Sequence, residues 1–282
     1  MRKPGIVLLS VSFVAVTAGA APADDTSGPP PRKTLREALR TFASDGRYLV
    51  TFPERSSAKG AWLTAGVVAA TSLTINRDGE IRAEVLESDS RSAGRIARKF
   101  EPFGRYEVEA AALGTLYWIG RLRGDGRVVS TAATAFESYL WAGIITSASK
   151  GAFGRERPGL GSEEGRFFAG DTIFPSGHTA RSFAIAAVLA DRHGRRAAFI
   201  AFPVAALIGL STIQEDRHWA SDVIGGAGLG LAIGRGIAAR HRAPPAPGRA
   251  GAPGDAAPRR RPGGAAWQIV ARPGGVALHI TY

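Results

Sequence analysis

Six apolar segments dominate the sequence between residues 61 and 239, and short polar stretches separate them. Each segment is longer than an ordinary strand and long enough to form a helix. The segments are 61–75, 106–122, 131–149, 178–190, 197–213 and 219–239. This spacing predicts an all-α bundle of six helices over residues 61–240. A chain of 282 residues has room for one such domain with shorter flanking parts.

The N-terminus has the three-part pattern of a secretory signal. Arg2 and Lys3 precede an apolar run over residues 6–18, and small residues around Ala20 and Ala23 follow. We therefore predict a signal peptide over residues 1–23 and export to the periplasm or cell envelope. An uncleaved membrane anchor is the alternative.

Two flanking regions differ in composition from the apolar segments. Residues 24–60 are predicted to be a linker that carries a short amphipathic stretch with apolar Leu35, Leu39 and Phe42. Residues 241–264 are rich in Pro, Gly and Arg and are predicted to be a disordered linker. Residues 265–282 are predicted to form a small C-terminal β-hairpin.

The sequence leaves open whether the bundle is soluble or lies in the inner membrane. Most segments are at or below the spanning length, and Glu107, Glu109 and Glu137 lie inside them, which favours a soluble or peripheral protein. Arginines that would gather at one end of an up-down bundle favour membrane association by the positive-inside rule. These arginines are 121, 123, 127, 192, 195, 196, 235, 240 and 242.

Charge and cysteine content limit the partners. The net charge of +12 suits an anionic partner such as a phosphate ester or a membrane surface. A nucleic-acid partner is not expected, because the basic tail has no aromatic residue before Trp267. The absence of cysteine excludes a disulfide framework and a Cys-based zinc site.

The first cluster of candidate functional residues follows the third apolar segment. Lys150 is separated by six residues from Arg157, which precedes a proline. Two cations close together can hold the non-bridging oxygens of a phosphate, and the arginine fork donates two parallel hydrogen bonds. A solvated loop would explain the same two residues, so this cluster alone does not define a site.

The second cluster is Pro175-Ser176-Gly177-His178, at the start of the fourth segment. Ser176 is a candidate N-cap, and Gly177 lets the backbone approach a ligand closely. Backbone N–H groups at a helix start bind anions, and an imidazole beside them can protonate a leaving alcohol. A capped helix that begins with histidine is the alternative interpretation.

The third cluster begins with Ser211-Thr212 and continues at the start of the sixth segment with His218 and Asp222. His218 and Asp222 are four residues apart and share a helix face. The Asp222 carboxylate can accept a hydrogen bond from one ring nitrogen of His218 and fix its tautomer, which leaves the other nitrogen free to attack phosphorus. A neutral histidine and an aspartate that each cap a helix are the alternative interpretation.

Together the three clusters resemble the signature of the type 2 phosphatidic acid phosphatase and vanadium haloperoxidase superfamily. The pattern is Lys-x6-Arg-Pro, then Pro-Ser-Gly-His, then Ser-x6-His-x3-Asp. The resemblance extends from about residue 61 to residue 240 and is strongest to the exported bacterial phosphatases. It implies the helical bundle of that superfamily and a phosphatase that uses no metal and no other cofactor.

The resemblance also implies a role for each residue. His218 would be the nucleophile that forms a phosphohistidine, Asp222 would orient it, and His178 would be the general acid. The phosphoryl oxygens would be bound by Lys150, Arg157, Ser176, Gly177 and the residue at position 212.

Position 212 departs from the pattern, because the family has an arginine where this chain has Thr212. Removing one such donor from an oxyanion site costs about 10²–10³ in rate. Three consequences are open: another arginine (155, 166 or 217) reaches the phosphate, the enzyme is slow, or the protein binds phosphate without hydrolysing it.

These observations predict a phosphatase acting on phosphomonoesters or on lipid phosphates of the phosphatidic acid or undecaprenyl diphosphate type. The alternatives are a non-catalytic relative that binds phosphate or lipid and, at lower rank, a vanadium haloperoxidase.

Overall fold

A computed structural model describes residues 34–51, 58–87, 92–159, 165–242, 266–272 and 275–281. The predicted signal peptide and most of the predicted linkers lie outside these residues. The chain divides between His241 and Arg242 into two compact units, which are described separately.

The first unit is helical throughout its regular structure, which confirms the predicted class. Its α-helices are α1 Leu35–Val50, α2 Ala58–Ile75, α3 Asp78–Glu87, α4 Ser92–Arg98, α5 Tyr106–Arg123, α6 Gly126–Phe153, α7 Gly177–Gln214 and α8 Ala220–Arg240. A short 3₁₀ helix, Glu101–Gly104, precedes α5. Each of the six apolar segments lies in a helix. The helices α3 and α4 were not predicted, because they are short and mostly polar.

Helix α7 is two antiparallel arms joined at Gly194. Gly194 has φ 75°, in the left-handed region that glycine tolerates, and it interrupts the helical backbone. Phe183 of the first arm and Phe202 of the second have ring centroids 6.0 Å apart. The two arms correspond to the separate segments predicted at 178–190 and 197–213.

A row of glycines on α8 allows close packing against the first arm of α7. A Cβ atom on Gly230 would lie 2.1 Å from the Ala180 carbonyl oxygen, and one on Gly234 would lie 2.4 Å from that of Ala184. Gly226 approaches the Ser176 carbonyl in the same way, at 2.6 Å. The row fixes the start of α8 next to the start of α7, where the second and third sequence clusters lie.

Arginines join the elements at the opposite end of the bundle. Arg127, in the first turn of α6, donates to the backbone carbonyl of Arg192 beside the Gly194 break. Arg192 donates to the carbonyl of His241, just after α8. These bonds place the α6 start, the turn of α7 and the α8 end together, as the up-down arrangement predicted.

Several features of the first unit suit a membrane. Helices α6, α7 and α8 are long and apolar enough to cross one by length and composition. Large apolar side chains are also exposed on other helices. Examples are Trp62, Leu73, Trp118 and Leu122. Exposed apolar surface of this extent marks contact with lipid or with another protein.

In the second unit, β1 (Ala266–Arg272) and β2 (Gly275–Thr281) pair in antiparallel fashion. Ala266 lies opposite Thr281, and Arg272 lies opposite Gly275.

Candidate functional site

The pair His218 and Asp222 forms at the start of α8, as the sequence predicted. Asp222 is the third residue of the helix, and one of its carboxylate oxygens accepts a hydrogen bond of 3.0 Å from the backbone N–H of Trp219. The same oxygen lies 3.3 Å from Nδ1 of His218. Both side chains are buried. The carboxylate thus holds the proton on Nδ1 and leaves Nε2 of His218 as the nitrogen with a lone pair.

The surroundings of His218 keep its imidazole neutral. Burial lowers its pKa below the ordinary value, while the hydrogen bond and charge of Asp222 act in the opposite direction. The positive charges of Lys150 and Arg157 also lower the pKa of His218. The first and third sequence clusters therefore lie close enough to interact electrostatically.

A buried arginine that sequence reasoning had considered only as a phosphate ligand holds the other oxygen of Asp222. Nη1 of Arg155 donates to Oδ1 of Asp222 at 2.5 Å, and its Nη2 donates to Oδ2 of Asp78 at 2.7 Å. Ser221 donates to Asp78 through both its backbone N–H and its hydroxyl. All four side chains are fully buried. Arg155 thus compensates two buried carboxylates and fixes the one that faces His218.

The sequence carried no signal for Asp78. It begins a short polar helix, α3, and its partner Ser221 is 143 residues away. Arg155 was one of three candidates to replace the family arginine as a phosphate ligand, and it lies two residues before Arg157. The structure separates the two, because Arg155 is buried and Arg157 is 53% exposed.

The N-terminus of α7 lies beside this pair. Ser176 caps the helix by accepting hydrogen bonds from the backbone N–H and the hydroxyl of Thr179, which confirms the predicted N-cap. The backbone N–H of Ser176 donates to the carbonyl of Asp222 at 3.0 Å, which ties α7 to α8. Gly177 and His178 follow in the first turn, and His178 remains partly exposed. Backbone N–H groups in the first turn of a helix are suited to bind an anion.

The two predicted cations border the same space. Lys150 is half-buried near the end of α6. Arg157 lies in the loop after α6, with its Nε 3.9 Å from a carboxylate oxygen of Asp171. Both charges act on His218, so the structure brings Lys150 and Arg157 to the end of the bundle that holds the two histidines.

Thr212 has a different place from the one that the family pattern gives to this position. Its side chain is fully buried, and its hydroxyl donates to the carbonyl of Gly209 at 2.7 Å. Its own carbonyl accepts from the backbone N–H groups of Arg217 and His218. The hydroxyl proton is therefore used within α7, and the carbonyl of Thr212 is bonded to the turn that leads to His218.

The three arginines considered as substitutes for the family arginine are engaged elsewhere. Arg155 binds Asp78 and Asp222. Arg166 is 74% exposed and lies 3.4 Å from Glu156. Arg217 pairs with Glu101 at 3.2 Å and with Glu215 at 2.8 Å.

One group of side chains in the described part of the chain has the geometry to hold a metal ion, and it lies at the far end of the bundle. Its members are Asp45, Glu137 and His241. Asp45 already binds Arg240 and His241. This group is separate from the histidine site, which lies at the other end of α8.

Comparison with known proteins finds similarity over the part of the chain that carries the three sequence clusters. The family model of the PAP2 superfamily matches residues 131–243, which contain all three sequence clusters. Over these residues the chain is similar to the PAP2 superfamily, in line with the resemblance that the motifs indicated.

A lipid A 1-phosphatase of Porphyromonas gingivalis is 32% identical over 174 residues, which are 60% of this chain. Those residues cover 36% of the relative, so the chain spans little more than a third of its length.

Two solved structures are also similar in part. One is a transmembrane PAP2-type phosphatidylglycerolphosphate phosphatase from Bacillus subtilis, with 18% identity, a TM-score of 0.48 and coverage of 64% of this chain and 96% of that one. The other is LpxE of Aquifex aeolicus, with 24% identity, a TM-score of 0.45 and coverage of 57% and 94%.

Proposed function

We propose that this protein is a metal-independent phosphatase that hydrolyses lipid phosphates through a phosphohistidine. The observation that carries the proposal is the His218–Asp222 pair beside the amide groups at the start of α7. A neutral imidazole with a fixed tautomer is a nucleophile, and a helix N-terminus flanked by cations stabilises a phosphoryl group.

In the first step, Nε2 of His218 attacks phosphorus, and the bond from phosphorus to the ester oxygen breaks. The leaving oxygen takes a proton from His178, which lies in the first turn of the neighbouring helix α7. Lys150, Arg157, Ser176 and the Gly177 amide bind the non-bridging oxygens. The positive charge that develops on His218 is balanced by Asp222.

In the second step, a water molecule attacks phosphorus of the phosphohistidine, and the bond to Nε2 breaks. His178, now neutral, accepts the proton of that water. Inorganic phosphate leaves, and both histidines return to their starting states. The side chains present supply each proton transfer in this sequence.

A lipid substrate is supported by an open groove of about 460 Å³ between α6 and α7. The residues that line the groove are mostly apolar, and one of them, Arg181, is a cation. The lining residues are Tyr139, Leu140, Gly143, Ile144, Ser147 and Arg181. A groove of this kind accommodates an acyl chain while the phosphate lies at the helix start.

The length and apolar composition of α6, α7 and α8 support a location at the membrane. We propose that α6, α7 and α8 enter the inner membrane, with the histidine site on the periplasmic side and the arginine-rich end on the cytoplasmic side. We also propose that the helices form the six-helix bundle of the acid phosphatase and haloperoxidase type, followed by a C-terminal hairpin.

The first test is hydrolysis of phosphatidic acid and of p-nitrophenyl phosphate by the full chain in detergent with excess EDTA. Activity that persists with EDTA and is lost in His218→Ala is expected. Activity that needs added metal, or that His218→Ala retains, would contradict the proposal. Orthovanadate binding without hydrolysis of either ester would favour the alternative of a non-catalytic phosphate-binding protein, which is open because Thr212 replaces the family arginine.

The groove is tested by Gly143→Leu, because Gly143 lines the groove and a Cβ atom at this position meets no atom within 4 Å. A higher KM for phosphatidic acid is expected, with no change for glycerol 3-phosphate. Gly114→Leu is the matched control, since it also fills open space but lies on α5, away from the groove. Equal effects on both substrates would argue against an acyl-chain groove.

A further inference from the structure

A mostly buried cation, Arg181, lies beside Gly177 at a position that the motifs do not include. We propose that Arg181 binds the phosphoryl group in place of an arginine at position 212. This inference rests on the proposed function and adds a ligand to the same site.

The first argument is position along α7. Arg181 is four residues after Gly177 and three after His178, so it lies on the same helix face one turn later. Its Nη1 lies 3.3 Å from the point where a Cβ atom of Gly177 would be. The space left by the absent Gly177 side chain therefore adjoins the guanidinium group.

The second argument is that the arginine is held in place. Its Nε donates to Oε2 of Glu109 at 3.0 Å, and its Nη2 donates to the carbonyl of Gly104 at 3.3 Å. The hydroxyl of Ser182 donates to the other oxygen of Glu109 at 2.6 Å. The guanidinium also lies over the ring of Tyr139, at 5.8 Å from its centroid. These contacts direct Nη1 towards the start of α7.

The third argument is charge. Arg181 binds the carbonyl of Gly104, and a ring carbon of His178 lies 3.4 Å from the point where a Cβ atom of Gly104 would be, so the guanidinium and the imidazole flank the same residue. The side chain of Arg181 is only 14% exposed, which reduces screening by solvent. A phosphoryl group bound at the Gly177 amide would meet Lys150, Arg157 and Arg181 together. The family pattern also supplies three cations: the lysine and the arginine of the first cluster and the arginine at position 212.

Arg181 also borders the apolar groove. The residue is therefore at the junction between the space for an acyl chain and the space for the phosphate. This position suits a ligand of the phosphate at the end of a lipid.

The test compares Arg181→Ala and Arg181→Lys with the wild type in two assays. The first measures kcat and KM for phosphatidic acid, and the second measures inhibition or binding by orthovanadate. For Arg181→Ala we expect kcat to fall by about 10²–10³ and orthovanadate affinity to fall in parallel. Arg181→Lys keeps the charge without the fork and should recover part of both. Added guanidinium ion should partly restore Arg181→Ala.

Arg195→Ala is the matched control, because it removes the same charge from the exposed turn of α7 at the far end of the bundle. It should leave both assays unchanged. Unchanged kcat and orthovanadate affinity in Arg181→Ala would overturn the proposal. Arg181→Ala could unfold because Glu109 loses its partner, and the test then rests on Arg181→Lys. If Arg181→Lys has the kcat and the orthovanadate affinity of the wild type, the proposal is overturned.

The two failures are distinguishable. A wild-type protein that binds orthovanadate but hydrolyses neither ester would remove the proposed function. The effect of Arg181→Ala on orthovanadate affinity would still decide whether Arg181 is a ligand.

Discussion

Arg155 donates a hydrogen bond to the oxygen of Asp222 that faces away from His218. The guanidinium is fully buried and also binds Asp78, which comes from a helix distant in sequence. The orientation of the nucleophile therefore depends on a contact between α3 and the loop after α6, as well as on the adjacent turn of α8.

Replacing Arg155 by Met should destabilise the fold and reduce activity. The change leaves Asp78 and Asp222 buried without their cation, and breaking a buried pair in this way costs about 3–5 kcal/mol. Chemical denaturation in detergent measures the loss. Asp78→Asn is the companion variant, since it removes one carboxylate and should cost less. A free energy of unfolding unchanged by Arg155→Met would contradict the role given to this network.

Replacing His178 by Asn should slow the hydrolysis of esters with poor leaving groups more than the hydrolysis of esters with good ones. A general acid contributes about 10²–10⁴ when the leaving oxygen needs a proton, and an aryl oxide needs it less than an alkoxide. The measurement is kcat/KM for phosphatidic acid and for p-nitrophenyl phosphate, because this ratio reports the steps up to formation of the phosphohistidine and excludes its hydrolysis, which both esters share. An equal loss for both esters would argue that His178 binds phosphate and does not transfer a proton.

The acidic limb of the pH profile should lie below the ordinary histidine pKa of about 6.5. His218 must be neutral to attack, and burial lowers its pKa, so activity falls only when the pH drops through that lowered value. The profile of kcat/KM for p-nitrophenyl phosphate measures it. Asp222→Asn removes the negative charge that raises the pKa of His218. The acidic limb should therefore move to lower pH, and kcat should fall. A limb at or above 6.5 would contradict the neutral, buried nucleophile.

Much of the site could be predicted from the sequence, because its parts are local. The N-cap Ser176 and the pair His218 and Asp222 are set by spacing within one helical turn, and spacing is visible in a sequence. The six apolar segments likewise predicted helices, since their length and composition are local properties.

The remaining parts depend on contacts between distant residues. Asp78 reaches Ser221 across 143 positions, and nothing near either residue predicts that bond. Arg181 had no motif to mark it, and its place beside Gly177 depends on Glu109 of α5. Thr212 occupies the position of a phosphate ligand in the family pattern, but the geometry of α7 directs its hydroxyl to the carbonyl of Gly209.

Gly230→Ala should destabilise the bundle, because its methyl group would lie 2.1 Å from the Ala180 carbonyl oxygen. Overpacking of this kind typically costs about 1–3 kcal/mol. Gly114→Ala is the control, since a Cβ atom there meets nothing within 4 Å, and alanine favours helix over glycine by up to about 1 kcal/mol. Thermal unfolding in detergent compares the two. Equal stability of both variants would argue against close packing of α7 and α8.

The central claim is that His218 carries the phosphoryl group during turnover. The direct measurement is rapid acid-free quenching of the full chain with ³²P-labelled phosphatidic acid, followed by a test of the label's stability. The account predicts a label on His218 that survives alkali, is released by acid, and is absent from His218→Ala. A hydrolysing wild-type protein that shows no such label, or that carries it on another residue, would contradict the account.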